Sequence, residues 1–124
     1  MPNYKYHHAH LISPDPEKTA DFYTSLFGAQ KGPVRKTPSG ALSVSLDLHG
    51  SSILVGGPRT QPAKYGLDHF GLVTDDIEGA VKDLKAAGAK FQMEPAEVRP
   101  GMKIAFFYAP DNVLIELTED RSAF

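Results

Sequence analysis

The chain has 124 residues, enough for one compact domain and too few for two ordinary ones. Apolar residues make up 41% and charged residues 23%, the balance of a soluble globular protein, and a net charge of −2 argues against a polyanionic partner such as nucleic acid. Cysteine is absent, which excludes disulfides, thiolate metal ligands and a cysteine nucleophile.

The start of the chain, through Tyr6-His7-His8, carries no apolar run that could act as a signal peptide. The longest apolar stretch, Ile104 to Ala109, is far short of the roughly 20 residues that span a bilayer. A cytoplasmic protein with no membrane partner is expected.

In chain order, the first expected strand holds His8, His10 and Ile12 on one face and His7, Ala9 and Leu11 on the other. Asp15 is a good N-cap and Pro16 suits the first turn of a helix. Ala20, Phe22, Tyr23, Leu26 and Phe27 form an apolar stripe at helical spacing, and Gly28 can take the left-handed conformation that ends it. A short strand follows near Val34. Leu42, Val44, Leu46 and Leu48 then alternate with Ser43, Ser45, Asp47 and His49, the period of a half-buried strand. His49-Gly50-Ser51 turns the chain into a further strand, Ser52 to Val55. Pro58 and Pro62, with glycines on either side, mark a linker; Gly56-Gly57 reads as a turn rather than a phosphate loop.

The pattern then recurs. His69 lies 61 residues after His8, and Asp76 lies 61 after Asp15. Asp76 caps a helix whose stripe is Ile77, Ala80, Val81 and Leu84 and which closes at Gly88, 60 residues after Gly28. A short strand near Phe91 follows, then Met102 to Tyr108, the turn Ala109-Pro110-Asp111-Asn112, and Val113 to Leu117. An internal repeat at this spacing means one supersecondary unit used twice. The expected organisation is one domain, residues 1–124, with module one at about 4–57, a linker at about 58–66 and module two at about 67–120.

In the last strand Val113, Ile115 and Leu117 suit a helix, so Leu114, Glu116 and Thr118 point the other way. A carboxylate between Ile115 and Leu117 is costly to bury unless something pairs with it. Two histidines in repeat-equivalent places plus one inward carboxylate make the ligand set of a two-histidine, one-carboxylate metal site, which leaves coordination positions open. The plain alternative for His8, His69 and Glu116 is hydrogen-bonded core residues in a metal-free binding fold. His10 shares the His8 face and is either a proton-moving group or a pocket-lining residue. Tyr65 and Tyr108 are candidate donors to a substrate oxygen, with aromatic packing as the commoner role. His7 is expected to be structural or exposed and His49 solvated. Arg35, Lys36, Arg59, Lys64, Arg99 and Lys103 are scattered and read as surface, with one or two able to meet an anionic substrate at a pocket rim.

The strings His8-Ala9-His10-Leu11-Ile12-Ser13-Pro14-Asp15-Pro16-Glu17-Lys18-Thr19-Ala20-Asp21-Phe22-Tyr23 and Asp68-His69-Phe70-Gly71-Leu72-Val73-Thr74-Asp75-Asp76 resemble the two module starts of the vicinal-oxygen-chelate superfamily. The ending Ala109-Pro110-Asp111-Asn112-Val113-Leu114-Ile115-Glu116-Leu117 resembles its closing motif. That group includes glyoxalase I, extradiol dioxygenases, fosfomycin-resistance enzymes, methylmalonyl-CoA epimerases and bleomycin-binding proteins. The resemblance covers essentially the whole chain. It implies an α+β fold of two repeated βαβββ modules forming a curved mixed sheet around a metal-binding cavity. It also implies His8, His69 and Glu116 as ligands of a divalent metal ion (Fe, Mn, Ni, Co or Zn), with His10, Tyr65 or Tyr108 as catalytic groups. Glyoxalase I has a further ligand, a glutamate near the end of its first module. Four residues past Asn112 stands Glu116, but four past the matching Gly50 stands Leu54, and Val55 and Gly56 offer no side-chain ligand either. This departure counts against a true glyoxalase I.

The implied function is lyase or isomerase chemistry on a small substrate chelated through adjacent oxygens, in a homodimer. An extradiol-type Fe(II) dioxygenase is the first alternative. A metal-free, ligand-sequestering protein of the bleomycin-resistance kind is the second.

Overall fold

The computed structural model describes residues 2–37, 40–59 and 62–124. Its elements are β1 (Tyr4–Ile12), α1 (Pro16–Phe27), β2 (Gln30–Lys36), β3 (Leu42–Leu48), β4 (Ser51–Gly56), β5 (Gly66–Thr74), α2 (Ile77–Ala86), β6 (Lys90–Arg99), β7 (Met102–Ala109) and β8 (Val113–Glu119). Strand, helix, strand, strand, strand is thus written twice, as the repeat predicts. Thr60 and Gln61, within the expected linker, lie outside the described residues. No described helix is long and apolar enough to cross a membrane.

The chain divides into two compact units. One is His8–Asp68; the other is His69–Phe124 together with the residues up to His7. In the first, the strand order is β2-β3-β4-β1, with β1 parallel to β4 and the other pairs antiparallel. In the second it is β6-β7-β8-β5, with β5 parallel to β8 and the other pairs antiparallel. The parallel pairing follows from the helix that intervenes after the first strand of each module, because parallel strands need a crossover connection.

Both strand-to-helix junctions are built alike. The Ser13 hydroxyl accepts from the Asp15 amide at 3.1 Å, and the Asp15 carboxylate accepts from the Lys18 amide at 3.1 Å. Sixty-one residues on, the Thr74 hydroxyl accepts from the Asp76 amide at 3.3 Å, and the Asp76 carboxylate accepts from the Gly79 amide at 3.0 Å. Each aspartate therefore satisfies an amide in its helix's first turn that has no intrahelical partner. In α2 the Glu119 carboxylate also accepts from the Ile77 amide at 2.9 Å, where a negative charge suits the helix dipole.

The helices end differently. Gly28 caps α1 with φ +73°, as expected. The second helix stops one residue before the expected glycine: Ala87 caps α2 in ordinary right-handed conformation, and Gly88 follows at φ +91°.

Alternation along the strands then assigns the cores. Against α1, Val44, Leu46 and Val55 are buried with Ala20 and Ala29, and Leu11, Tyr23, Leu48 and Ile53 pack on them. Against α2, Ile77, Ala80, Val81, Ala105, Phe107, Ile115 and Leu117 are buried together. The α2 stripe is covered as its spacing predicts. The α1 stripe is not: Phe22, Leu26 and Phe27 are 52%, 64% and 52% exposed. At 100° per residue, Phe22 and Leu26 lie well round the helix from Ala20, so a helix lying on a sheet with Ala20 innermost leaves them outside. Phe22, Tyr23 and Phe27 instead meet each other at ring-centroid separations of 5.7–5.8 Å.

The N-terminal residues belong to the second unit. The Asn3 amide and its side-chain nitrogen both donate to the Asp75 carboxylate, each at 2.8 Å, and Lys5 Nζ donates to the Ala123 carbonyl at 2.6 Å.

Two outcomes are expected. Leu117→Ala, at a fully buried site, should lower unfolding free energy by about 2–5 kcal/mol. Leu26→Ala, on the exposed flank of α1, should stay within about 0.5 kcal/mol of wild type; urea denaturation of both variants checks the contrast.

The second concerns Asp75. The two hydrogen bonds from Asn3, the backbone amide first, hold its carboxyl below the ordinary aspartate value. Because the folded value is lowered, this contribution to stability is present above the unfolded carboxyl's value and is lost as pH falls through the folded one. An NMR titration should find Asp75 low, and Asn3→Ala, which removes only the side-chain donor, should return it part of the way.

Candidate metal centre

In the first unit, β1 pairs with β4 so that His8 stands opposite Ser52, Ala9 opposite Ile53, His10 opposite Leu54 and Leu11 opposite Val55. Leu11, Ile53 and Val55 face α1. His8, His10 and Leu54 therefore project from the other face, as expected. His8 is only 3% exposed; His10 is half-buried. Their rings meet at 6.3 Å between centroids with 64° between planes, and each offers a ring nitrogen within 4.8 Å of the other's. Gly56 gives the His10 ring its space: a Cβ there would lie 3.0 Å from His10 Nε2.

In the second unit, β5 pairs with β8 so that Phe70 stands opposite Ile115, Gly71 opposite Glu116 and Leu72 opposite Leu117. Phe70, Leu72, Ile115 and Leu117 belong to the α2 core. His69, Gly71 and Glu116 thus share the face away from α2. One strand across is about 4.8 Å and two residues along is about 6.6 Å, so both side chains can reach a common ion from that face. His69 is 3% exposed, and its ring stands edge-on to Phe106 at 5.1 Å, an arrangement that aromatic rings favour. Phe106 is the β7 residue directly opposite Glu116. It packs against the histidine ring from the neighbouring strand pair.

The remaining candidates are placed as follows. Tyr108 is on β7 opposite Leu114, two residues from Phe106 and on the same face as Glu116; it is 37% exposed. Tyr65 immediately precedes β5 and is 58% exposed. His7 is exposed on the other face of β1, and its charge is a minor cause of the lowered Asp120 carboxyl, after two hydrogen bonds from Ser122. His49 is exposed in the β3–β4 turn at φ +50°. Arg59 pairs with Asp68 at 2.9 Å, and Lys103 with Glu78 at 3.4 Å, so these two cations are engaged at the surface.

Two supporting residues are not evident from the sequence. Phe106 lies inside an apolar run and announces nothing, although its place two residues before Tyr108 puts it on the Glu116 face. Gly56 reads as a turn residue yet ends β4 and makes room for His10.

The donor set suits a divalent metal. Two imidazoles, buried on matching faces of matching strands, and a carboxylate on the face of one of them are the nitrogen and oxygen ligands such ions take.

Comparison with known proteins agrees with the repeat and with the fold. The family model of the Glyoxalase/Bleomycin resistance protein/Dioxygenase superfamily matches residues 5–117. The chain is 30% identical to the uncharacterized protein YwkD of Bacillus subtilis, over 91% of this chain and 94% of that one. It is 28% identical to a probable lactoylglutathione lyase of Vibrio cholerae, over 99% and 96%. The solved methylmalonyl-CoA epimerase of Mycobacterium tuberculosis shares the fold with a TM-score of 0.74 over 92% of this chain and 86% of that one, at 17% identity. The two βαβββ units and the match across nearly all of them make this chain a member of the glyoxalase/bleomycin resistance protein/dioxygenase superfamily.

Proposed function

We propose that this protein is a metal-dependent lyase or isomerase acting on a small substrate that presents adjacent oxygens to a divalent ion held by His8, His69 and Glu116. The observation that carries this reading is the matched burial of two histidines. His8 and His69 stand at equivalent places in β1 and β5, each 3% exposed and each turned away from its own helix. Imidazole at two matched, buried places is the nitrogen part of a ligand set that divalent ions take. The names of the Vibrio relative and of the epimerase support lyase or isomerase chemistry in proteins of this build.

A bound divalent ion would supply a Lewis acid that polarises a carbonyl and orients the paired oxygens. Glu116 contributes the negative charge that the two neutral imidazoles lack. Phe106 holds the His69 ring in one orientation, so ligand geometry is set before substrate arrives. A proton next to the substrate carbonyl would be moved by His10 or by Tyr108. His10 lies on the His8 face of its unit and Tyr108 on the Glu116 face of its own, and Tyr108 is 37% exposed. Tyr65, more exposed, is the weaker choice. The exposed aromatic flank of α1 supports pairing of two copies.

Elemental analysis tests the reading, with wild type and Glu116→Ala purified side by side and dialysed briefly. Near one divalent ion per chain in wild type, falling towards zero in the variant, is the expected result. No retained ion in wild type, after separate incubation with iron, manganese, nickel, cobalt and zinc, would overturn the reading and favour a metal-free binding protein. With metal present, oxygen uptake on adding catechols would move the assignment to a dioxygenase. Exchange of a substrate proton with deuterated water would keep it with the lyases and isomerases.

A further inference from the structure

The two modules differ at one pair of positions on the ligand-bearing face. In the second unit the register partners are Gly71 on β5 and Glu116 on β8. The matching partners in the first unit are His10 on β1 and Leu54 on β4. The match is fixed at both ends, since Ala9–Ile53 corresponds to Phe70–Ile115, and Leu11–Val55 to Leu72–Leu117. Where one module has no side chain on the first strand and a carboxylate on its neighbour, the other has an imidazole on the first strand and an apolar residue on its neighbour. The ligand-type side chain stands on the first strand of the matching rung in one module and on its partner strand in the other.

From this the geometry points to His10 as a further metal ligand, occupying in the first module the role that Glu116 has in the second. The inference rests on the proposed metal-dependent reading and adds a third imidazole to its ligand set. Three observations within the first unit carry it. His10 is on the His8 face, one strand-repeat further along. Its ring lies 6.3 Å from that of His8, just inside the roughly 6.5 Å that separates two imidazoles on opposite sides of one ion with metal–nitrogen bonds of about 2.1 Å, and a ring nitrogen of each lies within 4.8 Å of the other's. Gly56, the last residue of β4, keeps free the space that His10 Nε2 fills, where a Cβ would approach to 3.0 Å. The assignment leaves Tyr108, rather than His10, as the group that moves the substrate proton.

Cobalt(II) is the probe. Paramagnetic proton NMR of the cobalt-loaded protein counts ligating histidines, because the ring N–H of each is shifted far downfield. Wild type should show three such signals and His10→Ala two. Partners beyond the ligand shell are worth about 10–100-fold in metal affinity, so losing a ligand should weaken cobalt binding by at least about tenfold. Adding Leu54→Glu to His10→Ala restores the arrangement of the second module and should recover affinity while leaving two signals. Far-ultraviolet circular dichroism of the metal-free variants confirms that each is folded, and His10→Gln replaces His10→Ala should the latter not be. Two signals in wild type, with unchanged affinity in His10→Ala and a large loss in Glu116→Ala, would overturn the role of His10 and leave the proposed function standing. No cobalt bound by wild type would overturn both.

Discussion

Everything at the candidate centre depends on one constraint, the two-residue period of a strand that lies against a single helix. Where β1, β4, β5 and β8 lie against a helix, every second residue is apolar: Leu11, Ile53 and Val55 against α1, and Phe70, Leu72, Ile115 and Leu117 against α2. The intervening residues are released from that duty. On β8 this separates Ile115 and Leu117, which are buried against α2, from Glu116 between them. On β5 it separates Phe70 and Leu72 from His69 and Gly71. The helix therefore defines by exclusion the face that carries His8 and His10 in one module and His69 and Glu116 in the other.

That constraint also explains what could be read from the sequence. The repeat was visible because its signals are local: His8 and His69, Asp15 and Asp76, each 61 residues apart. Alternation placed His8, His10 and Glu116 on the correct faces without any knowledge of partners. The hydroxyls of Ser13 and Thr74, which brace the two capping aspartates, obey the same spacing and could have been found by the same search. Other features depend on contacts far apart in the chain. Periodicity gave α1 a broad apolar stripe, but how much of a stripe is covered depends on how the helix lies on its sheet, and Phe22 and Leu26 stay outside. Phe106 became part of the centre only through the β7–β8 register. Gly56 gained its meaning only from the ring beside it.

Duplication allows one copy to change while the other keeps its role. The second module retains a carboxylate on an inner strand, where charge is expensive to bury and a cation or a hydrogen-bond donor has to answer it. The first module has Leu54 at the matching place and carries no such cost. It has placed a histidine across the ladder instead, a side chain that can be neutral while still offering a nitrogen. The two modules thus keep the same backbone and the same helix packing while distributing polarity differently between the paired strands.

The two modules reach the same facing through turns of different length. The β3–β4 connection has two residues between the closing pair Leu48 and Ser51, with His49 at φ +50° and Gly50 at φ +98°. The β7–β8 connection has three residues between Ala109 and Val113, and Asp111 and Asn112 both adopt positive φ, at +64° and +61°. Aspartate and asparagine tolerate that left-handed region better than other side chains. This added residue is why β8 is offset from β4 by 62 positions, whereas β5 and β7 are offset from β1 and β3 by 61. A strand displaced by one residue against its neighbours exchanges its two faces. No such displacement separates the two modules: the closing pairs Leu48–Ser51 and Ala109–Val113 correspond, so Ile53 and Val55 face α1 as Ile115 and Leu117 face α2, and Leu54 and Glu116 both face away. Asp111 and Asn112 absorb the extra residue inside the turn, so the face of Glu116 follows from the pairing that starts at Ala109–Val113 and from alternation along β8, not from turn length.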